Sequence, residues 1–561
     1  MRSPKFAFLV TVLAPVCSLA AQSPPTNPPT SQPTTMDRVV DRIVSRENAE
    51  VTALKQYNPL VETYIQNTRQ DKELGLVPAG DKYFLSRADL AKGVELRPMT
   101  EQGGKHRLLG LGGLFSFSMQ YLPRGFLQMI FPDNTGFDRQ HYKFEYVRRE
   151  FLGEVRCLVF DVMPLPKAGK GRFIGRIWVE DQDYAIVRFN GTYSPGSRSS
   201  YYFHFDSWRV NAGPGLWLPA YVYSEETNPR HTVFQHPQFK SQTRLWGYNL
   251  GASSKEQELG KILVEAATPV RDQSDASKDL TPLQAQRTWD HQAEDNVVER
   301  LERVGLLAPR GEVDKVLDTV VNNLEVTNNL DIQPEVRCRV VLTSTLESFT
   351  IGHTVVLSRG LIDVLPDEAS LATIIAHELG HIVLGHRIDS QYAFNDRMLF
   401  KDEETFQHFG FSRTPSEEDA ANQKGIELLK NSPYKDQLAN AALFVEALKA
   451  RAKEIPNLIS PHLGNQVPIN AQMLNVTAPS DASKKSTTIA ALPLGSRIKL
   501  DPWSDTTEMI KAKPPGNISE REKMPFEVTP FMPYLIRQGT AQAQQPAVTA
   551  ESKTDPSKKP E

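Results

Sequence analysis

Apolar residues recur at helical spacing over residues 366–387, PDEASLATIIAHELGHIVLGHR. Pro366 and the acidic pair after it, Asp367 and Glu368, are typical of the start of a helix. The apolar positions that follow are Leu371, Ile374, Ile375, Leu379, Ile382 and Val383. Their spacing predicts a single helix over this segment.

A different pattern, in which apolar and polar residues alternate, extends from about residue 143 to residue 250. Its segments are rich in Val, Ile, Tyr, Phe and Trp: KFEYVRREF, EVRCLVFDVMP, RFIGRIWVEDQDYAIVRFNGTYS, YYFHFDSWRV and GLWLPAYVYSEE. Turn residues at 181–183 and 213–215 interrupt them. The alternation predicts an antiparallel meander of at least about six strands.

Weaker patterns lie on both sides of these regions. Residues 36–69 predict one or two helices with a break near Asn58-Pro59, and residues 80–135 fit no firm assignment. Further elements are predicted as helices over 297–304, 313–324 and 431–453, and as strands over 337–344 and 350–359.

Length and charge narrow the classes of protein. A chain of 561 residues is too long for one typical core, which favours two domains. The net charge of -3 comes without a basic stripe, so nucleic acid is not an expected partner. The two cysteines beyond the N-terminal segment, Cys157 and Cys338, lie in separate strand-like contexts and are expected to be buried thiols rather than a disulfide.

The N-terminus has the features of a secretory signal peptide over residues 1–20. Arg2 and Lys5 precede an apolar run over 6–16, and small residues follow before a plausible cleavage site. The run is too short to span a bilayer, and no later stretch is long enough. Lipidation at Cys17 and tethering by an uncleaved signal are the alternatives. The expected location is therefore exported, in a bacterial periplasm or associated with the envelope.

The candidate chemistry lies in the central helix, where His377-Glu378-Leu379-Gly380-His381 forms an HExxH motif. Two histidines four residues apart lie on one helix face and can bind the same metal ion. Glu378 is turned away from that face and can act as general base on a water at the metal. Small residues beside the histidines, Ala376 and Gly380, suit a buried site. The alternative interpretation is that both histidines are buried in the core with their ring nitrogens hydrogen-bonded to the protein, without a metal.

The segment VVLTSTLESFTIGHTVVLSRGLIDVLPDEASLATIIAHELGHIVLGH resembles the entry to the active site of the HtpX/CAAX-prenyl-protease family of gluzincin metallopeptidases. The resemblance covers about residues 295–505 and is most specific over 354–386. It implies a zinc peptidase whose third Zn²⁺ ligand is a glutamate in the pattern Glu-x-x-Ala-Asp-x-x-Gly/Ala. Residues 418–425, EDAANQKG, fit this pattern at Glu418, Ala421 and Gly425.

Glu418 is also supported by the local pattern. Ser416 and Asp419 predict a capping pair at a helix start, and positions 418, 422 and 425 then share one face. Glu417 is expected to face solvent. Glu403 and Glu404 are weaker competitors for the role of third ligand.

Three departures from the family pattern concern the site. Asn422 replaces the family's aspartate and makes the site less anionic, although an amide can still hydrogen-bond a ligand histidine. Glu347-Ser348 stands where the family has Asn-Ala on the edge strand. His462 follows a proline instead of preceding one, so it is a candidate for stabilising the oxyanion, with a surface histidine as the alternative.

The other histidines predict no second site. His386 does not fit the metzincin spacing and falls off the ligand face, where it supports the fold or a neighbouring carboxylate. His353 is expected to be structural.

The predicted fold is α+β. An N-terminal antiparallel β-rich domain over 36–265 precedes a mainly helical zincin domain over 289–539 with a small edge sheet. The remaining segments are a Pro/Thr-rich tether over 21–35, a polar linker over 266–288 and a disordered tail over 540–561. The β-rich domain weakly resembles the lipoprotein-sorting half-barrel, and a generic β-domain that packs on the peptidase is the alternative.

The function implied by the motif and the resemblance is zinc-dependent cleavage of exported or misfolded polypeptides in envelope quality control. His377, His381 and Glu418 would hold Zn²⁺, with Glu378 and His462 as catalytic residues. The alternative is a chaperone-like module that binds lipid or a lipoprotein through the β-rich domain.

Overall fold

A computed structural model describes residues 35–538 except for 72–74, 92, 100–121, 134, 195–202, 227–237, 249–280, 389–391, 396–398, 401, 407, 460–461, 464, 467–489 and 511–524. The predicted signal peptide, the predicted tail and most of the predicted tether and linker lie outside the described residues.

The N-terminal part of the described chain contains an antiparallel sheet of ten strands, in agreement with the alternating pattern. Its strands are β1 (Leu60–Asp71), β2 (Gly75–Asp89), β3 (Glu95–Pro98), β4 (Tyr142–Leu152), β5 (Val155–Pro164), β6 (Phe173–Glu180), β7 (Ile186–Tyr193), β8 (Phe203–Gly213), β9 (Leu216–Glu226) and β10 (Gln238–Trp246). The order is β3-β2-β1-β10-β9-β8-β7-β6-β5-β4, so the meander returns to place β10 beside β1.

The first strand corrects the interpretation of residues 36–69. A helix, α1 (Thr35–Leu54), occupies the first part of this segment, but the second part is β1 and not another helix. β1 lies between β2 and β10, and both faces of its first half are buried. A strand covered on both faces loses the alternation by which strands are recognised.

One face of the sheet packs against α1 and α2 (Pro123–Gln128). Large aromatic side chains fill this face and are almost completely buried, namely Phe160, Phe173, Phe189, Phe205 and Phe239. Arg209 of β8 also forms a buried ion pair with Glu47 of α1, at 2.7 Å. In the described part of this face the chain's own side chains make up the core, which gives no support to the alternative of a lipid-binding groove.

The C-terminal part is mainly helical. Its helices are α3 (Pro282–Val304), α4 (Glu312–Thr327), α5 (Arg359–Val364), α6 (Glu368–Val383), α7 (Asp402–Phe406), α8 (Pro415–Lys430), α9 (Leu438–Arg451) and α10 (Pro456–Ile459). Its strands are β11 (Arg337–Val341), β12 (Glu347–Ile351), β13 (Thr354–Ser358), β14 (Asn465–Gln466), β15 (Ile498–Leu500) and β16 (Thr507–Met509). The small sheet has the order β11-β13-β12-β14. The α+β class is therefore confirmed.

Two boundaries differ from the sequence patterns. Helix α3 begins at Pro282, within the stretch that was expected to be linker. The strand predicted over 350–359 is instead a hairpin, because Gly352 adopts a φ of 57° between β12 and β13. A positive φ at a two-residue turn is readily accessible to glycine and reverses the chain.

The second face of the ten-stranded sheet packs on the helical part, and the two share one hydrophobic core. Tyr64, Tyr83, Trp178 and Trp208 of the sheet belong to the same buried cluster as Leu361 of α5. The C-terminal segment 525–538 also returns to the sheet, where Gln66 of β1 accepts from the backbone N–H of Val528. The sheet and the helices are therefore joined by packed surface and not only by the connecting chain.

Buried polar groups cross the same interface. The Arg359 guanidinium of α5 contacts Glu62 of β1 at 3.2 Å, and all three groups of the cluster Arg359, Glu62 and Asp363 are buried. Asp81 of β2 accepts hydrogen bonds from the backbone N–H groups of Asn457 and Leu458 in α10. Such groups are costly to bury unless they are paired in one fixed geometry, so they define how the sheet sits on the helices.

Cys157 and Cys338 are both buried and free, as expected. Within the part of the chain that the structure describes, no helix combines the length and apolar character needed to cross a membrane.

Candidate metal centre

The two motif histidines lie on the buried face of α6. The carboxylate of Asp367 caps this helix by accepting from the backbone N–H of Ser370 at 2.9 Å, which is the predicted helix start. His377, Glu378 and His381 are all buried. The Nε2 atoms of the two histidines lie 3.2 Å apart, so the spacing of the motif brings both imidazoles to one point.

Glu418 approaches this point from α8. Its carboxylate oxygens lie 3.2 Å from His377 Nε2 and 3.5 Å from His381 Nε2. The helix start differs from the predicted Ser416–Asp419 pair, because Thr414 is the capping residue and makes a reciprocal capping box with Glu417. Pro415 occupies the first helical position, so the helix starts two residues earlier than predicted and Thr414 is the residue that caps the free N–H groups.

The three side chains fit a tetrahedral metal ion. Zinc ligands about 2.0–2.2 Å from the ion lie about 3.4 Å from one another in a tetrahedral arrangement. The three distances in this group are 3.2, 3.2 and 3.5 Å. Two imidazoles that face each other through Nε2 are poor partners without a shared cation or proton, and all three side chains form a possible metal-binding group. The residues therefore suit Zn²⁺.

Charge at the site also favours a cation. Burial alone raises the pKa of Glu418, but its pairing with His377 and His381 outweighs burial and lowers the pKa to about 2. Burial alone lowers the pKa of His377, whereas Glu418, Glu378 and Asn422 leave it raised. The carboxylate is thus ionised at any physiological pH, as a metal ligand must be.

Two glycines allow the two helices to cross at short distance. A Cβ on Gly380 of α6 would lie 2.6 Å from the carbonyl oxygen of Ala421, and one on Gly425 of α8 would lie 2.9 Å from the carbonyl oxygen of Ala376. Both contacts are to backbone, which cannot rotate away. The close crossing holds Glu418 against the histidines and confirms the expected use of small residues here.

We expect Gly380→Ala to weaken metal binding at least about 10-fold, because the helices must separate and move Glu418 away from the histidines. Overpacking should also cost about 1–3 kcal/mol of stability. Gly410→Ala is the matched control, since a Cβ there meets no heavy atom within 4 Å. Titration with a competing zinc chelator measures the affinity, and equal affinities for both variants would contradict the close-crossing explanation.

Ser348 is a site residue that the sequence analysis flagged only as a departure from the family pattern. Its hydroxyl donates to Oε1 of Glu378 at 2.6 Å, from the first half of β12. The second oxygen of Glu378, Oε2, is buried without a hydrogen-bond partner among the described residues. One oxygen of the carboxylate is therefore fixed, and the other is available to a water molecule or substrate.

Arg413 is a second residue that sequence reasoning missed. It precedes α8 and donates to the backbone oxygen and Oγ1 of Thr350 in β12, at 3.2 and 3.0 Å. Burial lowers the pKa of Arg413, while the carboxylates of Glu378, Glu417 and Glu418 act in the opposite direction. This partly buried cation connects the strand that carries Ser348 to the segment just before the helix that carries Glu418. No spacing signal in the sequence marks it.

His386 lies close to the centre, although the helical extrapolation put it off the ligand face. Helix α6 ends at Val383, and Gly385 with a φ of 71° turns the chain back. As a result His386 Nδ1 lies 2.9 Å from His381 Nδ1. Its burial and His381 lower the pKa of His386, so the neutral ring can orient the ligand histidine.

The other predicted site residues occupy less direct positions. His462 packs on the Tyr83 ring, and its Nε2 lies 3.1 Å from the backbone oxygen of Asn457. The backbone N–H of His462 donates to the buried carboxylate of Glu347, the neighbour of Ser348. The catalytic role of His462 thus stays a prediction.

Asn422 lies close enough to His377 to raise its pKa, but the buried Nδ1 of His377 has no hydrogen-bond partner of normal geometry in the described part of the chain. Glu404 is exposed and Glu417 is partly exposed, and the side chain of Glu403 lies outside the described residues. Among the described side chains, the group that could hold a metal contains Glu418 and neither Glu417 nor Glu404.

Comparisons with known proteins address the two parts of the chain separately. A solved Vibrio parahaemolyticus structure, described as an outer membrane lipoprotein-sorting protein domain, is similar over 39% of this chain and 97% of its own, at 12% identity and a TM-score of 0.18. At that TM-score the likeness supports no conclusion, and the half-barrel resemblance stays a prediction. No curated protein matches the chain significantly.

The helical part gives a specific match. Residues 310–401 match the family model of Peptidase family M48, and this range includes the HExxH motif and Ser348 but not Glu418. The matched segment is therefore similar to Peptidase family M48, and the geometry of the centre fits a metallopeptidase.

Proposed function

We propose that this chain is a zinc-dependent metalloendopeptidase. The observation that carries the proposal is the convergence of His377, His381 and Glu418 at mutual distances of 3.2–3.5 Å beside Glu378. A structural zinc site normally has four protein ligands, whereas three ligands leave a position open for catalysis.

The chain's own residues divide the chemistry between them. A Zn²⁺ ion held by the three ligands would supply a Lewis acid that lowers the pKa of water and polarises the scissile carbonyl. Glu378 accepts the proton of the attacking water at Oε2 while Ser348 holds Oε1. Glu378 then donates that proton to the leaving amine. His462 is the candidate for stabilising the oxyanion. To do so, its Nε2 must first give up its contact with the backbone oxygen of Asn457.

Extended polypeptides are the proposed substrates. A peptide can add to the edge of β12 by main-chain hydrogen bonds and so lie along the strand that carries Ser348. The short strand β14 pairs with this edge at Glu347 and Ser348. We infer that a substrate displaces β14. Export to the periplasm or envelope of a bacterium, and a role in protein quality control there, remain part of this proposal.

The test measures metal content and casein cleavage together. Wild type is expected to contain zinc at this centre and to cleave casein, and Glu418→Ala to lose both because one of three ligands is absent. Glu427→Ala is the matched control, since Glu427 is an exposed carboxylate on the same helix.

Zinc retained at full occupancy in Glu418→Ala would remove Glu418 from the ligand set. Zinc bound by wild type without cleavage of casein or of any unfolded protein would contradict the peptidase proposal.

A further inference from the structure

A second cluster of side chains that could hold a metal ion lies away from the HExxH centre. His291 and Glu294 of α3 meet His353 of the β12–β13 turn, and one ligand atom of each lies within 4.8 Å of the others. The sequence analysis predicted no second site among the remaining histidines, whereas the fold gathers three possible ligands here. The reason is tertiary, because His353 is about sixty residues from its partners along the chain.

The fold brings the three residues together in two steps. His291 and Glu294 are three positions apart, so they share one face of α3, and His291 Nδ1 lies 3.3 Å from Glu294 Oε2. The hairpin turn then rests directly on Glu294, since a Cβ on Gly352 would lie 2.1 Å from its Oε2. Only glycine permits this approach, and it places the next residue, His353, beside His291, with ring centroids 5.3 Å apart.

The neighbouring charges leave the cluster suited to a cation. Asp290 and Asp295, which flank the pair on α3, form ion pairs with Arg387 and Arg337. Those two arginines are thereby engaged by other carboxylates. In addition, Nδ1 of His353 is buried without a hydrogen-bond partner among the described residues. A buried ring nitrogen with no protein partner is unfavourable unless something outside the chain binds it.

We propose that His291, Glu294 and His353 form a second site for a divalent transition-metal ion such as Zn²⁺. Two imidazoles and one carboxylate are a typical ligand set for such ions. The present separations of up to 4.8 Å exceed the about 3.4 Å between tetrahedral zinc ligands, and the partly exposed His291 side chain can close the difference. The cluster lines a cavity of about 800 Å³, which gives an ion access and room for water.

The ion would act as a clamp between α3 and the hairpin. Strand β12 runs from Ser348, which holds Glu378, to Ile351 at the turn beside this cluster. Arg387, which follows the motif helix, is paired with Asp290 of α3. A metal here therefore fixes elements that position the first centre without touching it.

The test separates the two sites by removing the first. Full-length, tag-free protein carrying His377→Ala and His381→Ala is loaded with Zn²⁺ and then dialysed, and the bound metal is counted by mass spectrometry. One ion per chain is expected. Adding His353→Ala should remove it and weaken binding at least about 100-fold, since even indirect supporting residues contribute 10–100-fold.

Two further variants control this result. His291→Ala removes a partly exposed ligand with little effect on packing and should lose the ion as well, which excludes misfolding as the cause. His204→Ala, in the sheet and outside both clusters, should retain it. A Co²⁺-loaded sample should show the visible absorption of a low-coordinate His-bound ion only in the variants that retain zinc.

An ion count of zero in the His377→Ala/His381→Ala chain would overturn the proposal, and so would an unchanged count in His353→Ala. Neither result depends on peptidase activity, so the test of the second site is independent of the test of the proposed function.

Discussion

Glu378→Gln is expected to lower casein cleavage by about 10²–10⁴-fold while zinc remains bound, because the amide cannot accept the proton of the attacking water. Glu378 is not one of the three converging ligands, and Ser348 can still donate to the amide oxygen. Initial cleavage rates and metal content of the same samples give the two quantities.

Glu427→Gln is the matched control for this variant, because it makes the same chemical change at an exposed glutamate. A Glu378→Gln protein that cleaves at the wild-type rate would exclude Glu378 as the general base. A protein that loses its zinc would instead place Glu378 among the groups that hold the metal.

Arg359→Met is expected to lower the free energy of unfolding by about 3–5 kcal/mol, the usual cost of leaving buried charges without their partner. The Arg359 guanidinium contacts Glu62 of the sheet and Asp363 of its own helix, each at 3.2 Å, and its side chain is 1% exposed. Methionine preserves much of the volume but none of the charge. Urea unfolding followed by tryptophan fluorescence measures the change.

The control for Arg359→Met is Arg69→Ala. Arg69 of β1 also forms an ion pair across the interface, with Glu454, but its side chain is 61% exposed. Exposed pairs contribute about 0–1 kcal/mol, so this variant should remain close to wild type. Equal free energies of unfolding for the two variants would show that the buried Arg359 cluster does not stabilise the packing of the sheet on the helices.

The shared core changes how the β-rich part should be regarded. The pattern-based prediction treated it as an accessory domain that ends before a linker. In the structure, buried residues of β1 and β2 contact α5 and α10 through Glu62 and Asp81. Separating the parts would expose those charges together with the aromatic side chains around them. Experiments on function are therefore best made on the full chain.

The sequence by itself determined the features that depend on short spacing. The HExxH histidines converge because four residues make about one turn of helix, whatever surrounds them. The cap at Asp367 and most strands of the meander likewise depend on neighbours within a few residues. Glu418 could be found because the family resemblance implied a glutamate ligand there and a helix pattern placed it on one face with Gly425, although the cap proved to be Thr414.

Other features were decided by the tertiary structure alone. Residues 60–71 form a strand that pairs with β2 and β10, and the burial of both faces of its first half conceals the alternation. His386 turns back to His381 because the helix ends at a left-handed glycine. The local periodicity indicates neither which strands pair with residues 60–71 nor where the motif helix ends.

The same limit applies to contacts that join distant parts of the chain. Ser348 contacts Glu378, and His353 lies near Glu294, only because the β12–β13 hairpin packs against α6 and α3. Helical and strand periods report which face of an element is apolar, but they do not say which elements meet. The ligand pair of the first centre was therefore visible in the sequence, whereas its supporting residues and the second cluster became visible only in the packed fold.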